Sequence, residues 1–259
     1  MAEIERDGVH LYYEVHGPRE PPGLGTILLT HGYSSSSHMW QPNLDALGAE
    51  HRVVVWDLRG HGRSDSPGDV GQYTESLAVE DMAAILDALG VDRAVVGGLS
   101  LGGYLSLAFH LAHPDRVRAL MLFDTGPGYR RDEGREGWNR SAIARAEAFE
   151  TRGLDALVSR AEVSQRVHKS ATGLALAARG LLTQHDGRVI GSLGTIGVPT
   201  LVLVGQDDEP FLAAADYMAG HIPAATKVVL ADAGHASNLD QPEAFDRNVL
   251  DFLHALPAG

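Results

Sequence analysis

Six residues constrain this chain more than any others: Gly98-Leu99-Ser100-Leu101-Gly102-Gly103. The apolar run Ala94-Val95-Val96 leads into them and reads as a buried strand. After them, Leu101 to His113 reads as a helix that stops at Pro114. A strand that turns straight into a helix leaves no room for side chains around the turn. Glycine is therefore demanded two residues before the serine and two or three after it. Such a turn lifts Ser100 clear of the sheet and sets it at a helix N-terminus, whose partial positive field favours developing negative charge. The bland alternative is a glycine-rich turn holding a serine by chance, so the rest of the chain has to decide.

Around this turn, strands and helices alternate. Thr26–Thr30, Arg52–Asp57, Ala94–Gly98, Val117–Asp124, Thr200–Val204 and Lys227–Leu230 are apolar runs of strand length, and Val9–Val15 alternates as an edge strand does. Helices are expected near Met39–Ala49, Glu75–Leu89, Leu101–His113 and Pro242–Leu256. The pattern predicts an α/β fold: a mostly parallel sheet with helices on both faces. From Gly126 to Gly194 no strand signal appears. Helical stretches are expected there near Ser141–Thr151, Leu154–Glu162 and Ala171–His185, after a polar lead-in from Gly128 to Asn139. The expected organisation is a core of residues 1–125 and 195–259 carrying a helical cap insertion, 126–194.

Composition narrows the function classes. The 259 residues carry 21 basic against 34 acidic side chains, a formal net charge of −13, which repels nucleic acid and anionic membrane surfaces. There is no cysteine, so disulfides, thiolate chemistry and cysteine-bound zinc are excluded. His110 and His113 share a helix face but have no third ligand nearby in sequence, and no phosphate- or dinucleotide-binding loop appears. No cofactor and no metal are expected. The N-terminus lacks an apolar signal region and no stretch approaches the ~18 apolar residues of a membrane span. The expected place is the cytoplasm. Nothing in the sequence fixes the oligomeric state.

With these motifs in order, the chain resembles the α/β-hydrolase family over nearly its whole length, in its serine-nucleophile esterase and lactonase branch. His31-Gly32-Tyr33 resembles the family's oxyanion-hole segment, and Asp57-Leu58-Arg59-Gly60-His61-Gly62-Arg63-Ser64 its D-x-R-G-x-G-x-S loop. Val204-Gly205-Gln206-Asp207-Asp208 resembles the acid turn and Ala233-Gly234-His235 the histidine loop. The resemblance implies a triad in the chain order Ser100, Asp208, His235. His235 follows the last strand and precedes the last helix, at the same sheet edge as Ser100. Asp208 is favoured as the acid, with Asp207 and Asp124 left open. The oxyanion hole is expected from the backbone amides of Tyr33 and Leu101. His31 is read as shaping its loop, and the Asp57–Ser64 loop as structural.

What these residues imply is hydrolysis of a carboxylic ester or lactone through an acyl-enzyme, acting on a small-molecule substrate. Aspartate stands at the nucleophile position in relatives that open epoxides, so Ser100 argues against that activity. Thioester or carbon–carbon hydrolysis and acyl transfer use the same triad and stay open, as does a receptor-like protein of the same fold. Tyr33, Ser34, Trp40, Leu99, Tyr129, Trp138 and Phe211 are expected to border a partly apolar substrate pocket, since they flank motifs that face the site or lie in the insertion above it.

Overall fold

The computed structural model describes residues 2–19, 25–157 and 167–257. Its frame is an eight-stranded sheet: β1 (Ala2–Arg6), β2 (Val9–His16), β3 (Thr26–Thr30), β4 (Arg52–Trp56), β5 (Ala94–Leu99), β6 (Val117–Phe123), β7 (Thr200–Gly205) and β8 (Ala225–Leu230). They lie in the order β1-β2-β4-β3-β5-β6-β7-β8. Antiparallel pairing is confined to β1 with β2 and β2 with β4; from β4 to β8 the sheet is parallel. The helices are α1 (Leu44–Gly48), α2 (Glu75–Ala88), α3 (Leu101–Ala112), α4 (Asp132–Arg152), α5 (Ala171–Gly180), α6 (Arg188–Ser192), α7 (Glu209–His221), α8 (Ser237–Asp240) and α9 (Pro242–His254).

Parallel strands covered on both faces need apolar side chains at every position, which is why β3, β5 and β7 are buried throughout. The two-residue period of a strand sorts these side chains between two layers. Leu28, Val54, Val96, Leu122 and Val202 pack with Met82 and Ile85 of α2 and Leu105 and Phe109 of α3. Their neighbours Ile27, Val55, Val95, Leu99 and Phe123 face the other way. They pack with Leu44 and Leu47 of α1, Trp40, and Phe245 and Val249 of α9. A third apolar cluster joins α4 to α5 through Ala146, Phe149, Leu174 and Ala178. Between β6 and β7 the described residues contain helices and no strand.

Several elements differ from the sequence expectation. Val9–His16 is not the sheet edge, because β1 pairs outside it. The hairpin turns at Asp7-Gly8, both with positive φ (53° and 75°), a pairing of residues that favours such a turn. The helix expected over Met39–Ala49 is a 3-10 turn, Ser37–Asn43, followed by the short α1. Pro42 lies inside that turn and supplies no amide hydrogen to an α-helix. The polar lead-in Gly128–Asn139 is partly helical, since α4 begins at Asp132 with two acidic residues in its first turn. The helix expected over Leu154–Glu162 begins as a 3-10 turn, Gly153–Ala156; residues 158–162 lie outside the described residues. Among the described residues no helix is long and apolar enough to cross a membrane.

Candidate active site

The turn between β5 and α3 places Ser100 at φ 56° and ψ −115°, a conformation that L-residues rarely adopt. The surroundings hold it there. Ser100 N–H donates to Phe123 O (2.9 Å), and Tyr104 N–H donates to Ser100 O (3.1 Å) as the first helical turn closes. A Cβ at Gly98 would stand 2.5 Å from Thr30 O, one at Gly102 would strike the same carbonyl, and one at Gly103 would stand 2.5 Å from the Thr125 side chain. The three glycines are thus the close-approach positions that the tight turn requires.

The loop after β3 abuts this turn: a Cβ on Gly32 would touch Ser100 Cβ at 3.4 Å. His31 braces the loop from inside. Its Nδ1–H donates to Gly32 O (2.7 Å), and its Nε2 accepts from Leu58 N–H (3.1 Å). This pattern assigns the neutral ring, and complete burial lowers its pKa to about 3. His168 repeats the device one layer out, accepting from Gly62 N–H (3.1 Å) and donating to Ser34 O (3.0 Å), and burial lowers its pKa too. The Tyr33 hydroxyl donates to Leu174 O (2.9 Å), anchoring the loop to α5.

At the same carboxyl edge of the sheet, His235 Nδ1 and Asp208 Oδ2 are 2.8 Å apart. Asp208 follows β7 and is 4% exposed, and the ring of Phe211 stacks on His235 at 5.0 Å. The other two candidate carboxylates make different hydrogen bonds. Asp207 is exposed, while its backbone N–H donates to Ala233 O (2.9 Å) and ties the acid turn to the histidine loop. Asp124, after β6, is buried; it accepts from Gly205 N–H (2.7 Å) and from the Ser237 hydroxyl (2.5 Å). Burial pushes its pKa up to about 7.

Beside Ser100 opens a cavity of about 240 Å³. Of the residues expected around it, Tyr129, Trp138 and Phe211 line it; Tyr33, Ser34, Trp40 and Leu99 do not. Leu99 precedes Ser100 by one residue, so strand alternation turns it into the opposite layer. Trp40 is fully buried in that layer against Phe123 and Phe245, with ring centroids 6.0 and 6.4 Å away. Sequence reasoning missed Tyr104, Leu181, Leu182 and Gln184, which also line it. Tyr104 was findable, since four residues past Ser100 on a helix means the same face. Among the described residues no cluster of His, Asp or Glu is placed to hold a metal ion.

Residues 25–169 match the family model of the alpha/beta hydrolase fold. The chain belongs to the alpha/beta hydrolase fold family. Within it, the chain is 31% identical to 3-oxoadipate enol-lactonase 1 of Acinetobacter baylyi, over 99% of this chain and 100% of that one. Two solved structures resemble it over nearly the whole chain. A thermophilic esterase from Thermogutta terrifontis aligns with a TM-score of 0.85 at 28% identity, covering 99% of each chain. The enol-lactonase from Burkholderia xenovorans LB400 aligns with a TM-score of 0.77 at 28% identity, covering 98% of this chain and 100% of that one.

Proposed function

We propose that this chain is a serine hydrolase that cleaves a carboxylic ester or lactone through an acyl-enzyme. The observation that carries the reading is the Asp208–His235 pair at 2.8 Å, on the sheet edge where Ser100 stands strained beside a cavity. An esterase and enol-lactonases among the relatives support the substrate class. Residues 126–194 are read as the cap that roofs the pocket.

In this mechanism Ser100 Oγ attacks the carbonyl carbon as His235 takes the hydroxyl proton. Asp208 keeps the hydrogen on Nδ1, leaving Nε2 to accept, and it stabilises the imidazolium. The oxyanion of the tetrahedral intermediate takes hydrogen bonds from the Leu101 and Tyr33 backbone amides, each contributing ~3 kcal/mol. His235 then passes its proton to the leaving oxygen. Water, deprotonated by His235, attacks the acyl-enzyme, and the returning proton restores Ser100 as the acid product leaves.

The test compares wild type with Ser100→Ala, both shown to be folded, on p-nitrophenyl esters and small lactones. Turnover by wild type with a loss of at least ~1000-fold in the variant is expected. Undiminished activity in the variant removes Ser100 from the mechanism. Tight ligand binding without turnover in wild type points instead to a receptor-like protein.

A further inference from the structure

The wall of the cavity beside Ser100 holds no Asp, Glu, Lys, Arg or His among the described residues. Among the described lining residues a carboxylate placed there has no cation to pair with, and burying it unpaired is costly. The wall nonetheless contains polar side chains, and most of their hydrogens are spoken for. Thr125 Oγ1–H donates to Ser100 O (2.5 Å), Tyr104 O–H to Glu75 (2.6 Å) and Trp138 Nε1–H to Leu182 O (2.7 Å). Tyr129 also lines the cavity and is 41% exposed.

Gln184 is different. Its Oε1 accepts from Tyr129 N–H (3.2 Å), which fixes the amide orientation, since the flipped form would set NH2 against N–H. The amide head lies against Gly128 at the edge of the Tyr104 ring. A Cβ on Gly128 would stand 2.8 Å from Oε1 and 3.2 Å from Tyr104 Cε2. Its backbone is clamped on both sides by Asn139: Gln184 N–H donates to Oδ1 and Nδ2–H donates to Gln184 O, both at 2.8 Å. An amide oriented by Tyr129 N–H, on a backbone clamped by Asn139, thus sits in the wall of a chamber whose described lining carries no charged side chain. Pre-positioned donors of this kind discriminate by what is left unpaired when the wrong ligand binds.

We propose that Gln184 Nε2 donates a hydrogen bond to an uncharged oxygen of the substrate remote from the scissile bond. The preferred substrate is then a neutral ester or lactone bearing a keto, ether or hydroxyl oxygen, rather than a carboxylate-bearing one. This inference rests on the ester or lactone reading above.

Two matched p-nitrophenyl ester series test it: plain alkanoates, and the same chains with a keto group at successive positions. Binding is measured by calorimetry to Ser100→Ala, so the outcome does not depend on turnover. At one keto position the oxo-ester is expected to bind about tenfold tighter than its alkanoate. That ratio is expected to fall to about one when Gln184→Glu is added. This change keeps the acceptor for Tyr129 N–H and removes the donor, so a merely structural role for Gln184 would leave the ratio standing. In active protein the same preference appears in KM, and a terminal carboxylate on the chain weakens binding. No preference at any position, or one that survives both Gln184→Glu and Gln184→Leu, overturns the proposal. Absence of turnover in wild type counts against the hydrolase reading alone.

Discussion

Ser237 donates its hydroxyl hydrogen to Asp124 at 2.5 Å, and the other oxygen of that carboxyl accepts from Gly205 N–H at 2.7 Å. One buried side chain therefore joins the turn that carries Asp208 to the segment that carries His235. Burial raises its pKa from 3.8 to about 7, against the pull of those two donors. From about pH 4 to about pH 7 the folded chain keeps a proton that the unfolded chain has lost. The stability contributed by this group is full below the unfolded value and is lost as pH rises through about 7. Asp124→Asn has no such proton. The stability of wild type relative to the variant is expected to fall between about pH 5 and 7 and to level off above it. Urea midpoints across that range check this; curves that run parallel would show that Asp124 stays ionised in the fold.

The pairing of Asp208, and not Asp207, with His235 makes a sharp comparison. Asp208→Asn leaves a side chain of the same shape that no longer favours the reactive tautomer, and kcat is expected to drop by roughly 10⁴-fold. Asp207→Asn alters an exposed side chain and is expected to change kcat by less than about twofold. Equal losses in the two variants would contradict the geometry of the acid turn.

Asp81 of α2 is buried and takes a bidentate pair from Arg59 (2.7 and 2.8 Å) and a third bond from Arg6 (2.8 Å). Removing one member leaves a buried guanidinium uncompensated. Asp81→Ala is expected to cost about 3–5 kcal/mol in denaturant unfolding. A loss below about 1 kcal/mol would mean that Arg59 finds water or another partner.

Trp40 fills the layer under the sheet rather than the pocket. Trp40→Phe leaves a void beside Phe123 and Phe245, and a loss of roughly 1–3 kcal/mol is expected. Relative kcat/KM values across an ester panel should be unchanged. A reordered substrate preference would return Trp40 to the pocket.

The parts of the fold legible in the sequence were those with a narrow steric or hydrophobic requirement. The turn at Ser100 demands glycines that no other arrangement explains, and the parallel strands demand unbroken apolar runs. β1 escaped notice because an edge strand facing water needs few apolar residues, although Asp7-Gly8 announced its hairpin. The start of α4 escaped because Gly134 and Gly137 weaken helix propensity, and packing on α5 overrides such local preferences. Within the site, Ser100, Asp208 and His235 stood in recognisable order, whereas Gln184 carries no local signal at all. Its position depends on Asn139, 45 residues away.

The buried imidazole of His31 bears on how rate responds to acid. With its pKa lowered to about 3, it remains uncharged across the range in which an ordinary histidine near 6.5 titrates. The loop it braces therefore does not register that change, and burial also lowers the pKa values of the neighbouring rings of His61 and His168. The hydrogen bonds by which His31 holds the segment beside Ser100 therefore persist in mild acid. Activity lost in mild acid should return at once on neutralisation, with no lag for refolding.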